Sequence, residues 1–355
     1  MKKQFPLILA ALTLLLGLET QALLILRKDN FASAILRRVA GIHLVALGDV
    51  ADARSYWADH IDAFGPERAY QELKTIYAAE TFGAQHRAAH LFGELLYEKT
   101  GVAGFATCDE SFSFGCFHSF LTAAVAREGI GIVNKLDAAC VEKFGTLGTG
   151  CQHGIGHGIL EYLGHASENL VRALDACAQT TQIRKLLGCS SGVFMEYNFP
   201  TVIAQGEASA KTRTFQPDNP STPCNTVVPK QFRESCYYEL AAWWQRATDD
   251  IGRLGQWCYA VAAAADREAC FLGIGNSVTF SENYRLADTL ARCAQMPDAE
   301  GILLCRAGAA WALFAEPQKR NLAAAPCEVP DAQDQKRCLI KANLAAEGVP
   351  LSSLR

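Results

Sequence analysis

The chain has 14 cysteines but no Cys-x-x-Cys and no Cys-x-x-Cys-His, so zinc ribbons and c-type haem attachment have no support. Lysine and arginine never cluster beyond pairs, and the formal net charge is −4. Without a basic face, nucleic acid is not an expected partner. There is no glycine-rich phosphate loop and no G-x-S-x-G, and no serine stands out as a nucleophile. Beyond the N-terminal segment, no stretch is long and apolar enough to span a bilayer. No histidine follows His165.

What is present starts with that N-terminal segment. Lys2 and Lys3 precede the apolar run 5–26, which only Glu19, Thr20 and Gln21 interrupt. Thr20-Gln21-Ala22 is a poor small-x-small cleavage site, so residues 1–28 are expected to be an uncleaved signal anchor. The body is then expected on the periplasmic or extracytoplasmic side of an inner or plasma membrane. An even and high cysteine number agrees with export, since disulfides persist where the compartment is oxidising.

The cysteines also measure out the chain. They fall into seven successive pairs, from Cys108/Cys116 to Cys327/Cys338, and the second members recur every 33 to 47 residues. That is the length of a helical hairpin and marks an internal repeat. In each unit an amphipathic run such as "SENLVRALDAC" leads to the first cysteine, and a second helix begins near the next. Second helices open Cys-x-x-small in "CQHG", "CSSG", "CFLG" and "CRAG", where a small residue lets backbones approach closely. Repeats four and seven place Glu239 and Lys341 there instead.

Seven disulfides are expected, each stapling the end of one helix to the start of the next and contributing about 2–3 kcal/mol. The predicted fold is all-α: an α/α solenoid of about seven stapled hairpins behind the anchor. A membrane-proximal helical region spans 29–85, the repeats 86–345, and a short tail 346–355. The long spacing in the middle comes from an inserted Pro/Ser/Thr-rich loop at 199–223. This pattern resembles Sel1-like and tetratricopeptide repeat proteins, especially cysteine-rich secreted ones in which a disulfide staples each helix pair. The resemblance covers about residues 80–345 and is architectural. The aromatic and alanine consensus of those families is not matched closely, so their peptide-binding role does not transfer.

The histidines follow a different distribution. "AQHRAAHLFGE" puts His86, His90 and Glu94 on one helical face. His118 and His153 share one repeat position, which places them side by side on adjacent helices. His157 lies a turn beyond His153, and Glu196 is offered by the next repeat. An i, i+4 histidine pair can hold a metal whose shell a second helix completes. His86, His90, His118, His153, His157 and Glu196 are therefore candidate ligands for one ion or two. Imidazole-rich ligation suits zinc, copper or iron. His43 and His60 read as structural or exposed, and His165 is left unassigned. A bis-histidine b-type haem is a rival use of the same residues. Gly154, Gly156 and Gly158 thread the second histidine pair and leave room for a ligand or a neighbouring helix.

Two functions follow. The first is a membrane-anchored metalloprotein, expected to be an enzyme of oxidation, hydroxylation or hydrolysis according to its metal. Deoxyhypusine hydroxylase, a helical-repeat metalloenzyme, is the precedent, although its His-Glu dipeptides are lacking here. The second is a binding scaffold that presents a solenoid surface to a protein, a lipid-like molecule or an envelope component. The aromatic run Tyr237, Tyr238, Trp243 and Trp244 reads as core, with an aromatic groove as the alternative.

Overall fold

The computed structural model describes residues 50–181, 186–199 and 213–344. The expected anchor at 1–28, the C-terminal tail and most of the inserted loop lie outside the described residues. No helix among the described residues is long and apolar enough to cross a membrane. Their regular structure is all helical, with no strand among them. Residues 57–355 make one compact unit, distinct from 1–56.

After α1 (Val50–Phe64) and α2 (Pro66–Tyr77), the helices fall into two kinds. The first kind comprises α3 (Phe82–Thr100), α4 (Ser111–Glu128), α6 (Thr149–Leu163), α8 (Cys189–Asn198), α9 (Arg233–Ala247), α11 (Ala264–Ser281), α13 (Ala299–Ala315) and α14 (Ala332–Lys341). These pack one against the next in chain order. The second kind, α5 (Val133–Phe144), α7 (Ser167–Cys177), α10 (Ile251–Tyr259) and α12 (Leu286–Cys293), is interspersed among them. Sequence pattern separates the two. In α7 only the stripe through Leu170, Ala173, Leu174 and Cys177, with Ala176 beside it, is buried. In α6 every residue from Cys151 to Leu160 is buried, as expected of a helix with neighbours on several sides.

All seven expected disulfides are present and no cysteine is free. Four join the last turn of a helix of the second kind to the first turn or two of the next helix of the first kind: Cys140–Cys151, Cys177–Cys189, Cys258–Cys270 and Cys293–Cys305. Each staple fixes where the next helix starts, and close backbone packing follows. A Cβ on Gly156 would stand 1.9 Å from the Cys189 carbonyl oxygen, and one on Gly192 would stand 1.9 Å from that of His153. Real Cβ atoms never come so near, so glycine alone permits this spacing. The glycines between the histidines are thus explained by the neighbouring helices, one on each side.

Helix α2 packs on the first stapled segment: the Tyr70 hydroxyl donates to Asp109 at 3.1 Å and Lys74 pairs with the same carboxylate at 2.5 Å. The row of helices curls back on itself, bringing the end of α11 and the segment after α13 against the starts of α3 and α4. Phe82 stacks on Phe280 with ring centroids 5.0 Å apart, and its backbone N–H donates to Asn283 Oδ1 at 3.2 Å. Arg320 pairs with Glu110 at 3.0 Å. An open solenoid would hold these residues, about two hundred positions apart in sequence, away from each other. The returning part of the inserted loop folds back on α9, where the Trp244 indole N–H donates to the Pro220 carbonyl at 2.9 Å. Tyr237, Tyr238, Trp243 and Trp244 are all buried.

Candidate metal centre

The inner face of the curled row bears an open cavity of about 740 Å³ that residues of α3, α4, α6, α8, α9, α11 and α13 line in turn. Its surface is mostly apolar, with Phe82, Phe114, Phe199, Phe280 and Trp311 among the lining residues, and Glu110, Glu239, Arg246 and Arg320 also line it, as do His86, His118 and His153.

Helix α3 brings His86 and His90 onto one face, and α4 brings His118 against them. His90 Nε2 lies 3.0 Å from His86 Nε2 and 3.3 Å from His118 Nδ1. One ligand atom from each of the three falls within 4.8 Å of the others. Imidazoles tetrahedrally disposed about one ion at about 2.0–2.1 Å have nitrogens about 3.3 Å apart, so the spacing fits a shared ion.

The protonation states suit the same role. Burial holds His86 down from 6.5 to about 4. Burial, followed by the neighbouring imidazoles, holds His90 and His118 well below the usual histidine range. All three are neutral at pH 7. The Phe112 carbonyl can only accept, so His86 Nδ1, at 2.7 Å, carries the proton and Nε2 keeps its lone pair. With His118 protonated on Nε2, at least two lone pairs face one gap whichever tautomer His90 takes. A His90 Nε2–H can be donated to His86 Nε2 at 3.0 Å, whereas a cation would be met by all three imidazoles at once.

The second histidine pair continues the cluster. His118 and His153 have ring centroids 4.9 Å apart, as their shared repeat position implied, and His153 and His157 are 4.8 Å apart. Ser191 gives its hydroxyl proton to the Gly188 carbonyl at 3.0 Å, so its oxygen accepts from His153 Nδ1 at 2.7 Å. His153 Nε2 then faces the Met195 sulfur at 3.4 Å. Burial keeps His153 neutral as well.

Glu196 stands elsewhere. Fully buried, it accepts from His157 Nδ1 through one oxygen and meets His165 Nε2 with the other, both at 2.7 Å. His165 Nε2 also lies 3.4 Å from Glu161. Glu161, His165 and Glu196 make a second group of ligand type, joined to the imidazole cluster by His157. His60 is buried against Glu72, 2.9 Å away, in a structural contact. His43 lies outside the described residues.

Two further acids matter that sequence reasoning did not assign. Glu239 lines the cavity, and burial raises it to about 8. Its signal was visible in "CYYE", where a glutamate replaces the small residue of the repeat. Glu316 is raised to about 7, chiefly by burial. It accepts the Ser113 backbone N–H at 3.0 Å. Ser113 belongs to a left-handed turn: Phe112, Ser113 and Phe114 have φ of 54°, 51° and 59°. Such conformations cost non-glycine residues on the order of 1–3 kcal/mol each, and this turn also supplies the carbonyl that holds His86.

The chain matches no protein-family model, no curated protein and no solved structure. The likeness to Sel1-like and tetratricopeptide proteins therefore carries no functional weight, and the chemistry must be argued from the side chains.

Proposed function

We propose that this protein is an extracytoplasmic metalloenzyme in which His86, His90 and His118 hold one late first-row transition metal at the wall of an apolar cavity. The observation that carries this reading is the convergence of three neutral ring nitrogens, spaced as ligands of one ion. Three imidazoles leave a coordination position open to the cavity, the arrangement of catalytic rather than closed structural sites. The bound metal would supply Lewis acidity or redox chemistry according to whether it is zinc, or copper or iron. Glu239, which keeps its proton at neutral pH, is placed to donate it within the same cavity.

Cavity composition points to the substrate class. With a mostly apolar surface and a protonated Glu239, the cavity suits a largely apolar, lipid-like molecule, whose polar end Arg246 or Arg320 at the lining could meet. The expected N-terminal anchor would keep the enzyme beside a membrane where such molecules reside. Seven disulfides with no free thiol favour an oxidising compartment. The stapled hairpins read as an α/α solenoid curled around its cavity.

Elemental analysis of protein purified from an oxidising compartment, beside the His90→Ala/His118→Ala variant, tests the proposal. About one equivalent of zinc, copper or iron in the wild type, lost in a variant of unchanged helicity, is expected. Absence of metal in both would overturn it in favour of the scaffold.

A further inference from the structure

The histidine-free end of the chain touches the imidazole cluster at two points, and both bear on His86. The first is a stack. Phe280, at the end of α11, lies on Phe82 with ring centroids 5.0 Å apart, and Phe82 in turn stacks on His86 at 5.4 Å. Tyr284 closes the edge of the same ring at 5.1 Å. The second is a hydrogen-bonded anchor on the left-handed turn. Glu316 Oε2 accepts the Ser113 backbone N–H at 3.0 Å and stands 3.4 Å from the Ser113 hydroxyl. The Tyr284 hydroxyl lies 2.9 Å from Ser113 Oγ. With Ser113 donating to Glu316, Tyr284 donates to Ser113, and all three polar groups are satisfied.

Three consecutive left-handed residues without glycine persist only where the surroundings over-determine them. What over-determines this turn comes from residues 171 and 203 positions away. The turn aims the Phe112 carbonyl at His86 Nδ1, 2.7 Å distant. A carbonyl at Nδ1 fixes the tautomer and the ring plane, and so decides that Nε2 is the atom presented to His90 and His118.

We infer that Glu316 and Tyr284 are positioning residues of the metal centre: they hold the strained Phe112–Phe114 turn, whose carbonyl locks His86 with its proton on Nδ1 and its lone pair toward the metal. Neither touches the ion. The inference rests on the reading of His86, His90 and His118 as ligands for its consequence, but the locked tautomer stands on geometry alone. It also gives the histidine-free repeats a task at the site: they carry the back of the clamp.

The experiment uses the full-length oxidised chain, stripped by a chelator. Imidazole ¹⁵N shifts of His86 are read first, without metal, in wild type, Glu316→Ala, Glu316→Gln and Tyr284→Phe. Wild type is expected to show a single Nδ1–H tautomer. Glu316→Ala is expected to show a mixture, and Glu316→Gln, whose carbonyl still accepts the Ser113 N–H, the wild-type pattern. Tyr284→Phe keeps the ring packing and loses only the hydroxyl; a smaller shift toward the mixture is expected, so the inference stays testable if Glu316→Ala fails to fold. Co(II) titration follows. Glu316→Ala is expected to weaken binding about tenfold and alter the d–d spectrum, with Glu316→Gln close to wild type. A wild-type His86 without a fixed tautomer would overturn the inference, as would one unmoved by both Glu316→Ala and Tyr284→Phe. A locked tautomer in a protein that binds no Co(II) would overturn the metal reading while leaving the clamp standing.

Discussion

The segment from Phe82 to Asn198 and the segment from Cys224 to Lys341 share one construction and differ in chemistry. Both run as stapled hairpins, with disulfide Cα atoms 5.4 to 5.6 Å apart in each. Both use glycine against the carbonyl of a neighbouring stapled cysteine: Gly156 against Cys189 and Gly275 against Cys305, each with a Cβ clearance of 1.9 Å. Only the first segment carries imidazoles. Had histidine been a packing element of the repeat, it would recur wherever the staples and glycines recur. Its confinement to one side of the cavity separates the residues that build the scaffold from those that occupy it.

The comparison breaks most decisively if the staples are not what makes the two segments alike. Seven bridges over loops this short, at about 2–3 kcal/mol each, together exceed the 5–15 kcal/mol of a typical domain. Full reduction is therefore expected to unfold both segments at 37 °C. Circular dichroism with and without reductant checks this, and retained helicity would remove the staples from the account. Singly, Cys140→Ala/Cys151→Ala and Cys293→Ala/Cys305→Ala should cost similar amounts in denaturant melts.

Next in size are the glycines. Gly156→Ala and Gly275→Ala each drive a methyl group into a backbone carbonyl, and each should cost about 3 kcal/mol. Equal losses in urea titrations would confirm that the close approach belongs to the repeat. A tolerated Gly156→Ala would reopen the view that this glycine makes room for a ligand.

The smallest expected effect is on pH dependence, and there the chemistry of the cavity shows opposite signs. His86 is depressed from 6.5 to about 4. Its neutral burial contributes fully above pH 6.5, and the contribution fades as pH falls toward 4, by on the order of 1–3 kcal/mol. Glu239 is raised from 4.5 to about 8. Its contribution is complete below pH 4.5 and fades as pH rises through 8. Metal-free protein should thus be less stable on both sides of a mildly acidic optimum. Glu316, raised to about 7, adds to this limb up to pH 7, so Glu239→Gln should flatten the limb between about pH 7 and 8 and leave the acid limb unchanged; a limb above pH 7 that survives the substitution would assign it to another group.

Much of the scaffold was legible in the sequence because cysteine spacing is a local ruler: residues 8 to 12 apart in a helical hairpin can be bridged without distortion. The i, i+4 spacing of His86 and His90 was legible for the same reason, as was the pairing of His118 with His153. Nothing local, however, could separate Glu196 from the imidazoles it was grouped with. That depended on His165 and Glu161 meeting it around the end of α6. The meaning of Gly154 and Gly156 also stayed open until neighbouring carbonyls were in place. Least legible was the clamp. Phe112, Ser113 and Phe114 carry no glycine to announce a left-handed turn, and Glu316 reaches them across 203 residues. A contact of that span follows from the curl of the whole row, which no single repeat encodes.

X-ray absorption at the metal edge of protein purified from an oxidising compartment tests the central claim most directly. About three imidazole nitrogens at about 2.0–2.1 Å are expected, with ring scattering lost in His90→Ala/His118→Ala. A bound metal with an oxygen-dominated shell, unchanged in that variant, would contradict it and move the centre to Glu161, His165 and Glu196.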